Sequence, residues 1–313
     1  VRAVLYLFRA LPGQDLEPLR PWLEVRGGAP AAPARERLVE EARGATILAP
    51  TYLDPVDAAL LDALPTVRHV ASYGVGLNHV DLAACRARGV LVTNTPGVLT
   101  DATADHAMAL LLAAARRVAE GDRVVRGGAW RELAPGFMLG TQVTGKTLGI
   151  VGFGRIGQAV ARRALGFEMT VLYSNPRAVA FQGATRAALD ELLAASDFVS
   201  LHTPLTPETE DLLSRERIAR MRHGVVIVNT ARGAVVNDAA LAGALASGQV
   251  AAAGLDVFRD EPQVPAAYLA LPNVVLTPHL GSGSRETRAA MTRLVFEDAL
   301  RFARGEPPAH PVG

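Results

Sequence analysis

The sequence predicts two doubly wound α/β domains with parallel sheets, and three observations predict them. At 313 residues the chain suits two domains of ordinary size, and half of its residues are hydrophobic, enough for two cores. Short β-rich runs alternate with helical patterns in two successive series, as in parallel sheets covered on both faces. Within the second series an apolar strand breaks into Gly152-x-Gly154-x-x-Gly157, and a helical pattern follows at once.

In chain order, the apolar run 1–8 reads as the first strand, and 45–49, 67–71 and 89–93 as further strands. Helical patterns at 34–43, 56–64 and 81–88 lie between them. Pro96-Gly97 marks a boundary. Thr100 or Asp101 can then cap a long helix from 102 to about 118. Its stretch 107–115 is apolar nearly all round, so it belongs between larger bodies. The second series offers strands at 147–151, 170–173, 198–201, 224–229, 252–255 and 274–277, the six of a complete doubly wound domain. A last helical pattern runs from 285 to about 302, before a Pro-rich tail. The two chain ends are read as one domain, 1–99 plus 286–313, with 100–285 inserted between them.

Composition narrows the partners. A net charge of +1 gives no electrostatic reason to expect nucleic acid or an acidic membrane surface. Every long apolar stretch is interrupted by a charge or a glycine, and the first apolar run is too short for a signal sequence. A soluble cytoplasmic protein is expected. Cys85 is the only cysteine, so no intrachain disulfide can form. The seven histidines show no ligand spacing, and no metal is expected. Lys146 is the only lysine, a bias that looks like genome composition.

The glycine pattern carries chemistry. Gly152 permits the tight strand-to-helix turn, Gly154 lets the backbone approach a pyrophosphate, and Gly157 lets helix and strand pack closely. The N-terminus of the next helix then holds the phosphate charge. With a strand before it and a helix after it, the motif reads as a Rossmann-type dinucleotide site. The acid that would bond the ribose 2′-hydroxyl of NAD is absent. The second strand is followed instead by Ser174-Asn175-Pro176-Arg177. A carboxylate there would repel a 2′-phosphate by about 1–4 kcal/mol at 4 Å, whereas the fork of Arg177 suits phosphate oxygens. NADP(H) is favoured over NAD(H); the alternative is a solvated Arg177 and a site that accepts NAD.

Three polar residues stand on loops leaving strands, where ligands of open α/β sheets collect. They are Arg232 in Asn229-Thr-Ala-Arg-Gly233, Glu261 in Gly254-Leu-Asp-Val-Phe-Arg-Asp-Glu-Pro262, and His279 in Thr277-Pro-His-Leu-Gly-Ser282. Arginine can bind a carboxylate bidentately and polarise an adjacent ketone. Histidine can protonate a developing alkoxide, and a carboxylate beside it favours the charged ring. Each alone has a plainer reading: a surface arginine, a solvated acid, a histidine capping a turn.

With Tyr73-Gly-Val-Gly-Leu-Asn-His-Val-Asp81, Asn94-Thr-Pro-Gly97 and Leu201-His-Thr-Pro-Leu205 added, the motifs run in order from about residue 70 to 285. The chain resembles the D-isomer-specific 2-hydroxyacid dehydrogenases, and is most similar to their glyoxylate/hydroxypyruvate reductase branch. The resemblance implies a Rossmann-type cofactor domain inserted into a flavodoxin-like substrate domain, with the active site in the cleft. It implies catalysis by Arg232, Glu261 and His279, and reduction of glyoxylate or hydroxypyruvate to glycolate or D-glycerate. Val75 and Gly76 N–H groups would hold the substrate carboxylate, beside Arg232 and His279. Cofactor contacts would come from Thr103, Gly152, Gly154, Arg155, Ile156, Gly157, Ser174, Asn175 and Arg177. Further contacts would come from Thr203, Pro204, Thr230, Ala231, Arg232, Asp256, His279 and Gly281, with Asp256 facing the nicotinamide amide.

A homodimer joined through the cofactor domains, using the long helix and 130–145, is implied in the same way. The alternatives are another D-2-hydroxyacid dehydrogenase using NAD, such as a phosphoglycerate enzyme, and a nucleotide-sensing corepressor-like binding protein. No room is expected after the last helix for the regulatory domain common in phosphoglycerate enzymes, although short versions leave that alternative open. A formate enzyme is expected to carry glutamine at position 261. His106 stands where the family usually has an apolar or small residue, and is read as a cleft-lining or helix-packing side chain. Asp105 is read as structural, His202 as a packing or hydrogen-bonding residue, and His69, His223 and His310 as lacking supporting neighbours.

Overall fold

The computed structural model describes residues 2–312. Backbone contacts divide the chain into two compact units, Val1–Leu99 with Gly283–Gly313, and Thr100–Ser282. The second division falls at 282/283, where the sequence reading puts it at 285/286. The hydroxyl of Ser284 accepts from the N–H of Thr287 and caps the last helix, so this turn goes with the first unit.

The first unit contains β1 (Ala3–Leu7), β2 (Leu23–Gly27), α1 (Arg35–Glu41), β3 (Ile47–Ala49), α2 (Ala58–Ala63), β4 (His69–Ala71), α3 (Leu82–Ala87) and β5 (Leu91–Thr93). The strands are parallel in the order β2-β1-β3-β4-β5, the flavodoxin-like arrangement. Asp57 and Asp81 start α2 and α3 by accepting from the N–H groups of Leu60 and Ala84. β2 has no counterpart in the sequence reading. It is an edge strand with only Leu23 buried, so no apolar run marks it.

The second unit begins with α4 (Thr100–Ala115) and α5 (Val118–Arg126). The long helix stops before 118 because Arg117 takes left-handed backbone (φ 55°). Its successor buries no residue in this chain. There follow β6 (Thr147–Val151), α6 (Arg155–Leu165), β7 (Thr170–Ser174), β8 (Ala184–Arg186), α7 (Leu189–Ala195), β9 (Phe198–Leu201), α8 (Arg215–Arg220), β10 (Val225–Asn229), α9 (Asp238–Ser247), β11 (Val250–Leu255), α10 (Ala266–Leu269) and β12 (Val274–Leu276). These strands form one parallel sheet, β12-β11-β10-β9-β6-β7-β8. Six of the seven match the expected runs; β8 is another edge strand with no buried residue. Strand order reverses at β6, and the ends of β6 and β9 define the switch point where ligands of such sheets collect.

α11 (Arg285–Ala303) returns to the first unit and packs Met291, Val295, Phe296 and Ala299 with Leu5, Leu7 and Ile47. No helix among the described residues is long and apolar enough to cross a membrane.

Two histidines read as isolated have partners in the first unit. His310 Nδ1 lies 2.9 Å from a carboxylate oxygen of the fully buried Asp298, whose other oxygen accepts from Ala309 N–H. His69 is fully buried on β4, its Nε2 2.9 Å from Thr93 Oγ1 and its ring against Phe302. Burial pushes its pKa from 6.5 down to about 4, the Asp298 carboxylate opposing. The unfolded chain therefore binds this proton more readily than the folded one. His69 contributes stability that is present above about pH 6.5 and is lost as pH falls towards 4, by up to about 1.4 kcal/mol per pH unit. Urea unfolding of the native protein and of His69→Gln at pH 7 and pH 5 checks this. The wild-type midpoint should fall further on acidification than that of the variant; equal falls would reject the assignment.

Candidate active site

The second sheet builds a cradle at its switch point. Gly152 follows β6 with φ 90°, and a Cβ there would lie 2.6 Å from the carbonyl of His202 and 2.7 Å from the N of Thr203. Only glycine lets the loops leaving β6 and β9 run this close. A Cβ on Gly157 would meet the Gly152 carbonyl oxygen at 2.3 Å, whereas one on Gly154 would meet nothing within 4 Å. Gly154 is also the N-cap of α6 and provides no side-chain cap, so the first-turn N–H groups at Arg155 and Ile156 have no hydrogen-bond partner among the described residues. An open, donor-rich helix start of this kind fits a dinucleotide pyrophosphate.

Thr203 and Pro204 leave β9 on one flank, and Thr230 and Ala231 leave β10 next to them. His202 braces these loops, with Nε2 2.8 Å from Ser200 Oγ and Nδ1 3.5 Å from Thr230 Oγ1. Burial pushes its pKa down to about 4, so it serves as a neutral strut.

At the end of β7, past Ser174, Asn175 ties two turns together. Its Oδ1 accepts from Phe153 N–H in the glycine turn, and its amide donates to the Arg177 carbonyl. Arg186 on β8 donates through Nε and Nη2 to the carbonyl of Asn175 and through Nη2 to that of Pro176 at 3.0 Å. Neither Arg177 nor Arg186 has a carboxylate partner among the described residues. Arg186 escapes sequence reasoning because its strand does; the turn at Gly183 is the only local signal.

The Arg–Glu–His set converges at the ends of β10, β11 and β12. Asn229, at the end of β10, accepts from Ala231 N–H and donates to the Arg232 carbonyl, tying the turn that presents Arg232. Gly233 brings this turn against the next loop: a Cβ there would lie 2.0 Å from the Phe258 carbonyl carbon. Burial is the larger influence on Arg232 and lowers its pKa, while the nearby Glu261 carboxylate opposes. Glu261 divides its oxygens: Oε1 accepts from Phe258 N–H at 3.0 Å, and Oε2 lies 2.7 Å from His279 Nδ1. Both side chains of that pair remain about one-fifth exposed, so the site is open to a small molecule.

His279 adopts left-handed backbone (φ 54°), which costs a non-glycine residue about 1–3 kcal/mol. Asp256 holds it there. The Asp256 carbonyl accepts from His279 N–H at 2.9 Å. Its carboxylate accepts from the N–H groups of Leu280 and Gly281, each at 2.7 Å, and from Thr277 Oγ1 at 2.6 Å. His106 on α4 reaches the same oxygen at 3.2 Å. Burial raises the Asp256 pKa, but the bonds from His106, Thr277 and Leu280 outweigh it and hold the group below the usual carboxylate value. Thr103 stands near Gly281, its Cγ2 3.4 Å from where a Cβ would sit. Asp256 therefore shapes the His279 loop, a role its sequence position does not disclose, and His106 bonds to Asp256 and Thr277. Asp105, read as structural, pairs with Arg163.

In the first unit, Asn94 Nδ2 donates to the Val75 carbonyl, and Thr95 N–H donates to that of Gly74. The N–H groups of Val75 and Gly76 have no hydrogen-bond partner among the described residues, and Val75 is exposed.

Known proteins resemble this chain over nearly its whole length. The sequence profile of the D-isomer specific 2-hydroxyacid dehydrogenase NAD binding domain matches residues 108–281. A glyoxylate reductase of Korarchaeum cryptofilum is 46% identical over 317 aligned residues, covering 98% of this chain and 95% of that protein. The chain belongs to the D-isomer-specific 2-hydroxyacid dehydrogenase family. It is an NAD(P)-dependent oxidoreductase. Among solved structures, a Thermus thermophilus protein superposes with a TM-score of 0.94 at 46% identity, covering 99% of this chain and all of that one. An NADPH-dependent glyoxylate/hydroxypyruvate reductase of Sinorhizobium meliloti, in complex with NADP and malonate, superposes at 0.89 with 33% identity. That match covers all of this chain and 97% of the other.

Proposed function

We propose that this chain is a cytoplasmic, NADP(H)-preferring glyoxylate/hydroxypyruvate reductase that works as a homodimer. The observation that carries the reading is the 2.7 Å pairing of His279 Nδ1 with Glu261 Oε2, with Arg232 held in the field of the same carboxylate. When bound, the dinucleotide supplies the hydride for the ketone carbon. Arg232 binds the acid and polarises its ketone. With Nδ1 committed to Glu261, Nε2 is the nitrogen of His279 that gives its proton to the developing alkoxide. Glu261 orients the ring and balances its charge. In the reverse direction the neutral ring takes the hydroxyl proton. The partnerless N–H groups of Val75 and Gly76 suit the substrate carboxylate. Relatives named glyoxylate reductases support a small 2-oxo acid as substrate.

The preference for NADP(H) rests on the turn that leaves β7. No acid stands there, and the cations of Arg177 and Arg186 are free of carboxylates among the described residues. The homodimer rests on exposed apolar side chains on and after α5: Val118, Val125, Trp130, Leu133, Phe137 and Leu139. A cavity of about 260 Å³ opens beside them, lined in part by Arg117, Leu139 and Asn273. Such a patch suits a second copy of the chain.

Replacing Arg232 by Ala should lower kcat/KM for glyoxylate by about 100- to 1000-fold, the scale for removing one donor to developing charge. Near-normal turnover in steady-state assays would sink the assignment. Replacing Arg177 and Arg186 together by Ser should weaken NADPH binding about 10-fold or more and leave NADH nearly unchanged; fluorescence titration reads both. Equal losses for the two cofactors would reject the phosphate role. Light scattering should give twice the 33.0 kDa chain mass, and a single-chain mass would reject the dimer.

A further inference from the structure

His106, on α4, hydrogen-bonds to the segments that carry and brace His279. Its Nε2 lies 3.0 Å from Thr277 Oγ1 and 3.2 Å from Asp256 Oδ1, and the Thr277 hydroxyl lies 2.6 Å from that same carboxylate oxygen. Donor and acceptor counting assigns the protons. An ionised carboxylate only accepts, and the Thr277 hydroxyl spends its single proton on Asp256. Both oxygens facing Nε2 are therefore acceptors, so Nε2 carries a hydrogen shared between them, whatever the charge of the ring. Asp256 is 1% exposed, so water cannot readily replace that donor.

We infer that His106 is a positioning residue for the proton donor, acting through Asp256. The chain of contact is short. His106 fixes the Asp256 carboxylate and Thr277; Asp256 receives Leu280 N–H on one oxygen and Gly281 N–H on the other; its carbonyl receives His279 N–H. His279, held in left-handed backbone, has these bonds to keep its ring aimed. An apolar side chain at 106 would still pack, but it would remove one of the three donors that fix Asp256 Oδ1 and leave the Thr277 hydroxyl without its second partner. The inference rests on His279 being the proton donor, and its test separates the two.

Three variants decide it. His106→Leu removes the donor and keeps the bulk; His106→Gln places an amide N–H near the Nε2 position; His106→Asn stops short of it. With glyoxylate and NADPH, the Leu and Asn variants should lose about 10-fold in kcat with KM changed less than twofold, because a misaimed group costs the chemical step more than binding. The Gln variant should return to within about threefold of the native kcat, a rescue that bulk alone does not produce. Independently of activity, hydrogen exchange at Leu280 and Gly281 should quicken in the Leu and Asn variants and stay slow in Gln. Native kcat and native exchange in the Leu and Asn variants would overturn the inference. So would equal losses in all three variants, which mark a packing role. If His106→Leu does not fold, the Gln–Asn pair decides alone. His279→Ala is the separate control: if it turns over normally, the proton-donor reading fails, while exchange at Leu280 and Gly281 still reports whether His106 orders the loop.

Discussion

A carboxylate with 1% of its surface exposed must find its hydrogen bonds within the protein, and Asp256 finds them in one loop. The donors are successive N–H groups of the Thr277–Gly281 turn, the Thr277 hydroxyl and His106. Its own N–H goes to the Asn229 carbonyl, at the foot of the Arg232 turn. One residue at the end of β11 thus joins the segments that present Arg232 and His279. Leaving such a buried charge short of donors costs several kcal/mol. The cheapest arrangement for Asp256 is the one that puts the Arg–Glu–His set in register. The left-handed backbone of His279 is sustained by that requirement.

The cofactor cradle obeys a second constraint, steric rather than electrostatic. Where strand order reverses between β6 and β9, two loops must leave the sheet side by side, and the contact of Gly152 with the His202–Thr203 peptide has no room for a side chain. Gly233 does the same beside Arg232, letting its turn rest on the backbone at Phe258 and Arg259. Arg259 reinforces this packing by pairing with Glu210 and Asp211. Close backbone approach and buried hydrogen bonds therefore position functional groups that are themselves only partly covered.

Much of this could be read from the chain because local chemistry carries it. The turn at Gly152–Gly157 needs a strand before it and a helix after it, and both leave periodic signatures. Arg232, Glu261 and His279 lie on loops that follow recognisable apolar strands, but each alone has a plainer reading, and the family resemblance is what groups them. The unread parts share a different property. β2 and β8 are short edge strands with at most one buried residue between them, so no apolar run marks either, and Arg186 is hidden with β8. His106 sits on a helix apolar nearly all round, and its partner lies 150 residues further along the chain. Periodicity shows which residues are inside; it does not show which of two distant polar groups meet there. The same limit makes His310 look unpartnered in sequence, although the buried Asp298 binds it.

Charge counting in the catalytic set ties substrate to proton in the proposed reaction. Arg232 and a protonated His279 share one carboxylate, Glu261, so the set carries one net positive charge before reduction and none after the proton has left. A 2-oxo acid is an anion, and it meets the set at its most positive when the ring is ready to donate. The product, still an anion, faces a neutral set, which favours its release. Linkage makes this reciprocal: whatever the bound acid does to hold the proton on His279, the proton does equally to hold the acid. Another acid added beside Arg232 would stabilise the empty site and weaken the match to the substrate's own carboxylate. In the proposed reaction the Glu261 carboxylate therefore balances the charges of Arg232 and His279 together.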